Sequence, residues 1–226
     1  MVQALAARDV EIEALVRAHS SRSAFDGLRV RPVVGDILDP TTYRDSIQRV
    51  DHVIHMASLL KMPWSPRFRA VHVDGTTAVA RACAEAPDPP CLLLVSSLAA
   101  FGPNADSEPP DETRTPSPVS IYGRVKRDAE LSALSYSPAL PLTIVRPPAV
   151  YGPWDKTLLK LFRAVLRGAH VVPGNGASRM SMVHVEDLAE AIVEASHRGE
   201  RAGGPSGSSE RGVYFVSGEE HPTYGE

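Results

Sequence analysis

Residues 91–97 read Cys-Leu-Leu-Leu-Val-Ser-Ser, an unbroken apolar run that stops at two hydroxyls, Ser96 and Ser97. A strand with one wet face would alternate. Continuous hydrophobicity instead predicts a strand covered on both faces, as in a parallel sheet between layers of helix. Downstream, Tyr122-Gly-Arg-Val-Lys126 falls in a helix expected over about 120–136, ended near Pro138. A four-residue step puts Tyr122 and Lys126 on one helix face, about one turn apart. A free phenol titrates near pH 10 and is a poor proton donor at neutral pH. A lysine cation within reach favours the phenolate and is expected to pull that value down. Ser97, at the mouth of the buried strand, is placed to hydrogen-bond the same substrate oxygen. The trio suits moving a proton on or off an oxygen whose carbon gains or loses a hydride. Tyr-x-x-x-Lys alone is also what many solvated helix faces show, so the reading rests on its neighbours.

Around this centre, strands are expected at 11–17, 28–34, 52–57, 142–145, 180–185 and 212–217. Helices are expected at 41–49, from Pro66 to Ala86, at 156–167 and at 186–198, with residues 1–8 forming the last turns of another. The proline-rich acidic stretch 102–118 and the Gly/Ser-rich stretch 199–211 read as surface loops. Alternating strands and helices argue for an α/β doubly wound parallel sheet. There is no internal repeat.

Composition excludes several classes. The 226 residues are 43% hydrophobic and 23% charged, with a formal net charge of −3. No basic stripe suggests nucleic acid or an anionic membrane as partner. No apolar run approaches the ~20 residues of a membrane span, and the N-terminus does not read as a signal peptide. Cys83 and Cys91, without such a signal, read as buried free thiols in a reducing cytoplasm. His52 and His55 lie three apart with no acid or cysteine cluster beside them, so no metal set is expected. His184 reads as a structural histidine. For Leu60 and Trp64, core packing outweighs a role in lining an apolar substrate pocket.

Taken in order, VVGDILD, DHVIHMAS, VHVDGTTAVARAC, VSSLAAFGP, SIYGRVK, TIVRPPAVYGP and SMVHVEDLAEAIV resemble the extended short-chain dehydrogenase/reductases, the NAD-dependent epimerase/dehydratase family. The resemblance runs across nearly the whole chain. It implies a Rossmann-like NAD(P)-binding domain over residues 1–150 and a partial substrate-binding region over 151–226, interleaved with the last sheet strands. It implies Tyr122 as catalytic acid/base, Lys126 as its partner and ribose ligand, and Ser97 as the catalytic serine. It implies NAD or NADP as cofactor, contacted by Asp36 and Ile37 beside the adenine and by Met56, Ala57 and Ser58 along the strand end. Pro147 and Val150 would lie against the nicotinamide. Without the resemblance, Asp36 reads as a turn residue and Pro147 as a strand terminator. Arg17 stands where NAD-preferring relatives place an acid for the ribose, so it reads equally as a 2′-phosphate ligand and as an exposed arginine. A small-molecule substrate and a homodimer through the Tyr-Lys helix are further expectations.

Departures from the family pattern narrow the reading. The glycine-rich turn and its strand are absent from residues 1–226, and Gly174-Asn175-Gly176 does not replace them. In a 3-2-1-4-5 strand order, that leaves a gap between the strands at 11–17 and 52–57. A truncated enzyme, shortened at both ends, is therefore expected, with a non-catalytic remnant as the alternative. Leu98 and Ala99 cannot supply the extra acid/base pair of a dehydratase. Met180 replaces an arginine usual in sugar-nucleotide epimerases, with Arg179 one step off. Reduction or oxidation of a small or apolar alcohol or ketone is thus favoured, with epimerisation using the same three residues. His72 stands where many relatives carry an asparagine.

Overall fold

A computed structural model describes residues 1–59, 62–103, 111–155, 158–168, 176, 179–203, 211–219 and 222–223. In chain order the elements are helix α1 (Val2–Ala6), strands β1 (Ile12–Val16) and β2 (Val30–Val34), helix α2 (Arg44–Ile47) and strand β3 (His52–His55). Next come α3 (Pro66–Arg69), α4 (Gly75–Ala84), β4 (Cys91–Val95), α5 (Leu98–Phe101), α6 (Ile121–Leu134), β5 (Leu142–Arg146) and β6 (Ala149–Tyr151). The series ends with α7 (Leu158–Leu166), β7 (Met182–His184), α8 (Val185–Arg198) and β8 (Val213–Phe215).

The leucine run forms β4, the second of four parallel strands ordered β3-β4-β5-β8. Leu93 pairs with Ile54 on one side and Thr143 on the other. Side chains alternate across a strand, and here both faces are dry. Leu92 and Leu94 join a core of Val79, Cys83, Ala133 and Leu134 from α4 and α6. Leu93 points the other way, into a core with Val145, Leu188 and Ile192 from β5 and α8. Each leucine is at most 2% exposed, which contributes roughly 1.5–3 kcal/mol per side chain. The continuous run is therefore the signature of a strand between two helical layers, and the expected α/β parallel sheet is present.

β1 and β2 form a separate parallel pair, with Ile12 opposite Val30. No pairing joins β1 to β3 among the described residues. An ion pair spans the break, between Glu13 on β1 and Arg49 just before β3, at 3.7 Å. Residues beyond 150 return to the main sheet through α8, on the β4–β5 face, and through the edge strand β8.

Three local expectations need correction. The helix from Pro66 is not uniform, because residues Ala70–Asp74 between α3 and α4 wind as a wider π turn. Residues 149–151, given no strand among the elements expected from sequence, are β6, paired parallel with β7 in a small sheet of their own. Leu98–Phe101, unassigned from sequence, is a helical turn capped by Ser97. Four-residue elements carry too little periodicity to be read in advance. Residues 104–110 and 204–210, within the stretches 102–118 and 199–211, lie outside the described residues, as do Leu60, Lys61, Gly174 and Asn175.

Candidate active site

Parallel strands carry all their C-terminal ends to one edge, and the expected site residues collect there. At the end of β4 the chain turns through Ser97, whose extended backbone (φ −162°, ψ 149°) caps α5. Ser97 Oγ accepts from the Ala99 N–H at 3.2 Å. The Leu98 N–H donates to the Pro147 carbonyl at 2.9 Å, tying this turn to the end of β5. α6 begins at Ser120, whose Oγ accepts from the Gly123 N–H at 2.9 Å. Gly123 then lies so close to α5 that an added Cβ would sit 2.1 Å from the Ala99 carbonyl oxygen. Only glycine permits that approach, and it seats the start of α6 against α5, with Ser97 near enough to Tyr122 to act on its phenol.

Successive turns of α6 then reach into the sheet edge. Lys126 is 5% exposed, and its Nζ donates to the Val95 carbonyl at 2.8 Å. One turn further, Glu130 is fully buried and takes two parallel hydrogen bonds from Arg146, Nε at 2.9 Å and Nη2 at 2.8 Å. Arg127 donates to it at 3.0 Å, and so does Ser96 Oγ. The structure thus brings Ser97, Tyr122 and Lys126 together above an ionic clamp that the sequence reading missed. Its signals were an arginine closing an apolar strand, Leu142-Thr-Ile-Val-Arg146, and a glutamate one helical turn after Lys126.

Burial dominates the electrostatics. It pushes the Tyr122 phenol up, and the Ser97 hydrogen bond offsets part of that rise. The expectation that Lys126 draws the phenol down is not what the geometry gives, since the ammonium is engaged by Val95. Burial brings Lys126 down to about 8, against the attraction of Glu130. Burial alone would raise Glu130, but Arg146, with Ser96 and Arg127, holds its carboxyl below the usual range. His55, buried on β3, is brought down to about 3 by burial, then by Lys126 and His72. A neutral His55 hydrogen-bonds Thr76 Oγ1 at 2.9 Å.

The other expected residues follow strand ends, Arg17 and Asp36 those of the separate β1–β2 pair. Arg17 is exposed just past β1. Asp36 is exposed just past β2, its Oδ1 accepting from the Leu38 N–H at 3.0 Å. That bond is the turn role available to any aspartate there. Ile37 is partly buried against the main core. Met56, Ala57 and Ser58 are exposed just past β3. Pro147 is buried, and Val150 is half-buried against the second core. Trp64 is 76% exposed, so the favoured core role is wrong for it. It follows a turn in which Met62 takes a left-handed φ of 55°. His184 is structural: its Nδ1 accepts from the Glu186 N–H at 3.4 Å, and its ring packs on Tyr151 at 5.3 Å. No described helix is long and apolar enough to cross a membrane.

Known proteins share this architecture. The chain is 34% identical to ceramide reductase of Caulobacter vibrioides over 85% of its own length and 55% of that protein's. It is 31% identical to sterol demethylase protein B of Methylococcus capsulatus over its full length and 67% of that protein's. The chain thus spans between about half and two thirds of the length of these relatives. The structure of MoeE5 in complex with UDP-glucuronic acid and NAD superposes with a TM-score of 0.75, at 25% identity, over 95% of this chain and 71% of that one. Residues 1–206 match the description of one family, and the chain belongs to it: the NAD dependent epimerase/dehydratase family.

Proposed function

We propose that this chain carries an NAD(P)-dependent oxidoreductase site interconverting an alcohol and a ketone, with Ser97, Tyr122 and Lys126 as its catalytic residues. The observation that carries the reading is the placement of Ser97 beside the Tyr122 phenol at the sheet edge, with the Lys126 amine held by the Val95 carbonyl one helical turn on. The residues at that edge fit a dinucleotide. Asp36, Met56, Ala57 and Ser58 offer exposed polar and apolar groups at strand ends, where ligands gather in open α/β sheets. Arg17 is exposed at the next strand end, where a cation suits a 2′-phosphate. When bound, the nicotinamide supplies or accepts the hydride.

The chain's own residues handle the oxygen. Ser97 Oγ hydrogen-bonds the carbonyl oxygen and holds it against the phenol. Tyr122 gives its proton to that oxygen as negative charge develops there, and recovers one in the reverse direction. A phenol raised by burial keeps its proton at neutral pH, which suits the reductive direction. Lys126, brought to about 8, is charged at neutral pH and, held against the Val95 carbonyl, is the cation left to bind the ribose hydroxyls.

The substrate proposed is an apolar alcohol or ketone. Support comes from the names of two relatives, ceramide reductase and sterol demethylase protein B. The exposed apolar groups Met56, Met62 and Trp64 beside the strand ends add to it. A sugar-nucleotide epimerase is the second reading, drawing on the likeness to MoeE5, and Met180 in place of the usual arginine weighs against it. A chain that binds no dinucleotide is the third, drawing on the break between β1 and β3. Fluorescence titration with NADH and NADPH, then turnover with long-chain ketones and with UDP-glucuronic acid, separates the three. Micromolar binding with ketone reduction lost in Tyr122→Phe is the expected result. No binding of either dinucleotide overturns the proposal.

A further inference from the structure

The π turn at Ala70–Asp74 has a consequence for one side chain. An i→i+5 turn re-aims the residues on it, and such turns recur at functional sites. Here it carries His72, which is 1% exposed. His72 Nε2 lies 3.2 Å from the Leu59 backbone nitrogen and 3.1 Å from the Leu59 carbonyl oxygen. Ser58 Oγ is 3.5 Å from the same atom. The ring packs on Phe68, centroids 4.4 Å apart, and meets the Tyr122 ring edge-on at 6.1 Å. Behind it, Thr76 Oγ1 donates to the His72 carbonyl at 2.6 Å and contacts His55 Nε2.

One nitrogen thus faces both a donor and an acceptor of the same residue. A neutral imidazole serves only one of them, according to its tautomer. Its other nitrogen, Nδ1, is buried without a hydrogen-bond partner among the described residues. An incompletely satisfied polar group in a dry setting is destabilising. Packing alone would be served better by an apolar ring. What the imidazole adds is a grip on the segment leaving β3, directly beside the phenol.

We propose that His72 is a positioning residue, clamping Ser58–Leu59 at the dinucleotide rim and bracing the Tyr122 ring; the proposal rests on the oxidoreductase reading of the site. His72 touches neither the reacting atoms nor the dinucleotide. It acts through Ser58 and Tyr122.

The test is amide hydrogen exchange at Leu59 in the full chain, by NMR, for wild type, His72→Phe and His72→Gln. Phenylalanine keeps a ring but loses the hydrogen bond, so Leu59 exchange should accelerate about tenfold, the equivalent of one net hydrogen bond. The amides of β4 should be unchanged. The longer carboxamide of glutamine reaches both Leu59 groups, with Oε1 for the N–H and Nε2 for the carbonyl, and should restore protection. The KM for dinucleotide should rise in His72→Phe, with kcat little changed because a ring still braces Tyr122, and should recover in His72→Gln, where loss of the ring should lower kcat. Leu59 exchange unaltered in His72→Phe overturns the clamp, whatever the activity. Should His72→Phe lose β4 protection, failure of His72→Gln to protect Leu59 overturns it instead. Faster exchange with an unchanged KM overturns the positioning role. If the wild type binds neither NADH nor NADPH, the oxidoreductase reading and the positioning role fail together, while Leu59 exchange still decides the clamp.

Discussion

Replacing Arg146 by methionine removes one half of the buried clamp beneath the site and leaves Glu130 without its main counter-charge. The carboxylate has no exposure to water, and it keeps only Ser96 and Arg127 of its hydrogen-bond partners. Two charge-assisted hydrogen bonds are lost, each worth about 1.5–3 kcal/mol. Breaking one side of a buried pair costs about 3–5 kcal/mol, because the partner charge stays buried. For a chain of this size that lowers the melting temperature by roughly 6–20 °C. The pH dependence sharpens the test. In the wild type the Glu130 carboxyl is held below its ordinary value. Its contribution is therefore present above the unfolded value and is lost as pH falls through the folded one. In the variant, burial is left to push the carboxyl up, so its penalty is felt at neutral pH and relieved as pH falls toward the unfolded value. Urea denaturation at pH 7 and pH 5 should show the gap between the two proteins narrowing at pH 5. Glu130→Met combined with Arg146→Met should recover more than half of the loss, since no charge is then buried there. A loss below about 1 kcal/mol at pH 7, or one independent of pH, would refute this reasoning.

Tyr122→Phe should lower kcat by about 10²–10⁴ while dinucleotide affinity is unchanged, measured by steady-state kinetics and fluorescence titration. Gly123→Ala places a methyl against the Ala99 carbonyl and should cost about 1–3 kcal/mol in denaturant melts, with turnover reduced as Tyr122 is pushed from Ser97. Lys126→Met should abolish a rise in stability with pH. The wild-type amine is brought down to about 8 from 10.5, so between these values the unfolded chain holds more protons than the folded one and stability climbs. Chemical denaturation at pH 7.5 and pH 10 reads the difference, and an identical climb in the variant would rule out Lys126 as its source.

Chain order and hydrophobic pattern determined most of the architecture. Cys91–Val95 could only be buried on both faces, and Tyr122 and Lys126 had to share a helix face, because strand and helix periods are properties of the backbone. The strand ends that Arg17, Asp36, Met56 and Pro147 follow were equally legible, since strand limits show in the hydrophobic pattern. The spacing could not say which neighbour would engage the lysine, nor that burial would outweigh it in setting the phenol. It also could not reveal that Glu130 and Arg146 meet beneath the site, or that His72 turns toward Leu59. Those depend on which side chains a folded sheet edge brings within 3 Å of each other and how much water it removes. Desolvation and long-range pairing exist only once the layers have packed, so only the tertiary structure decided them.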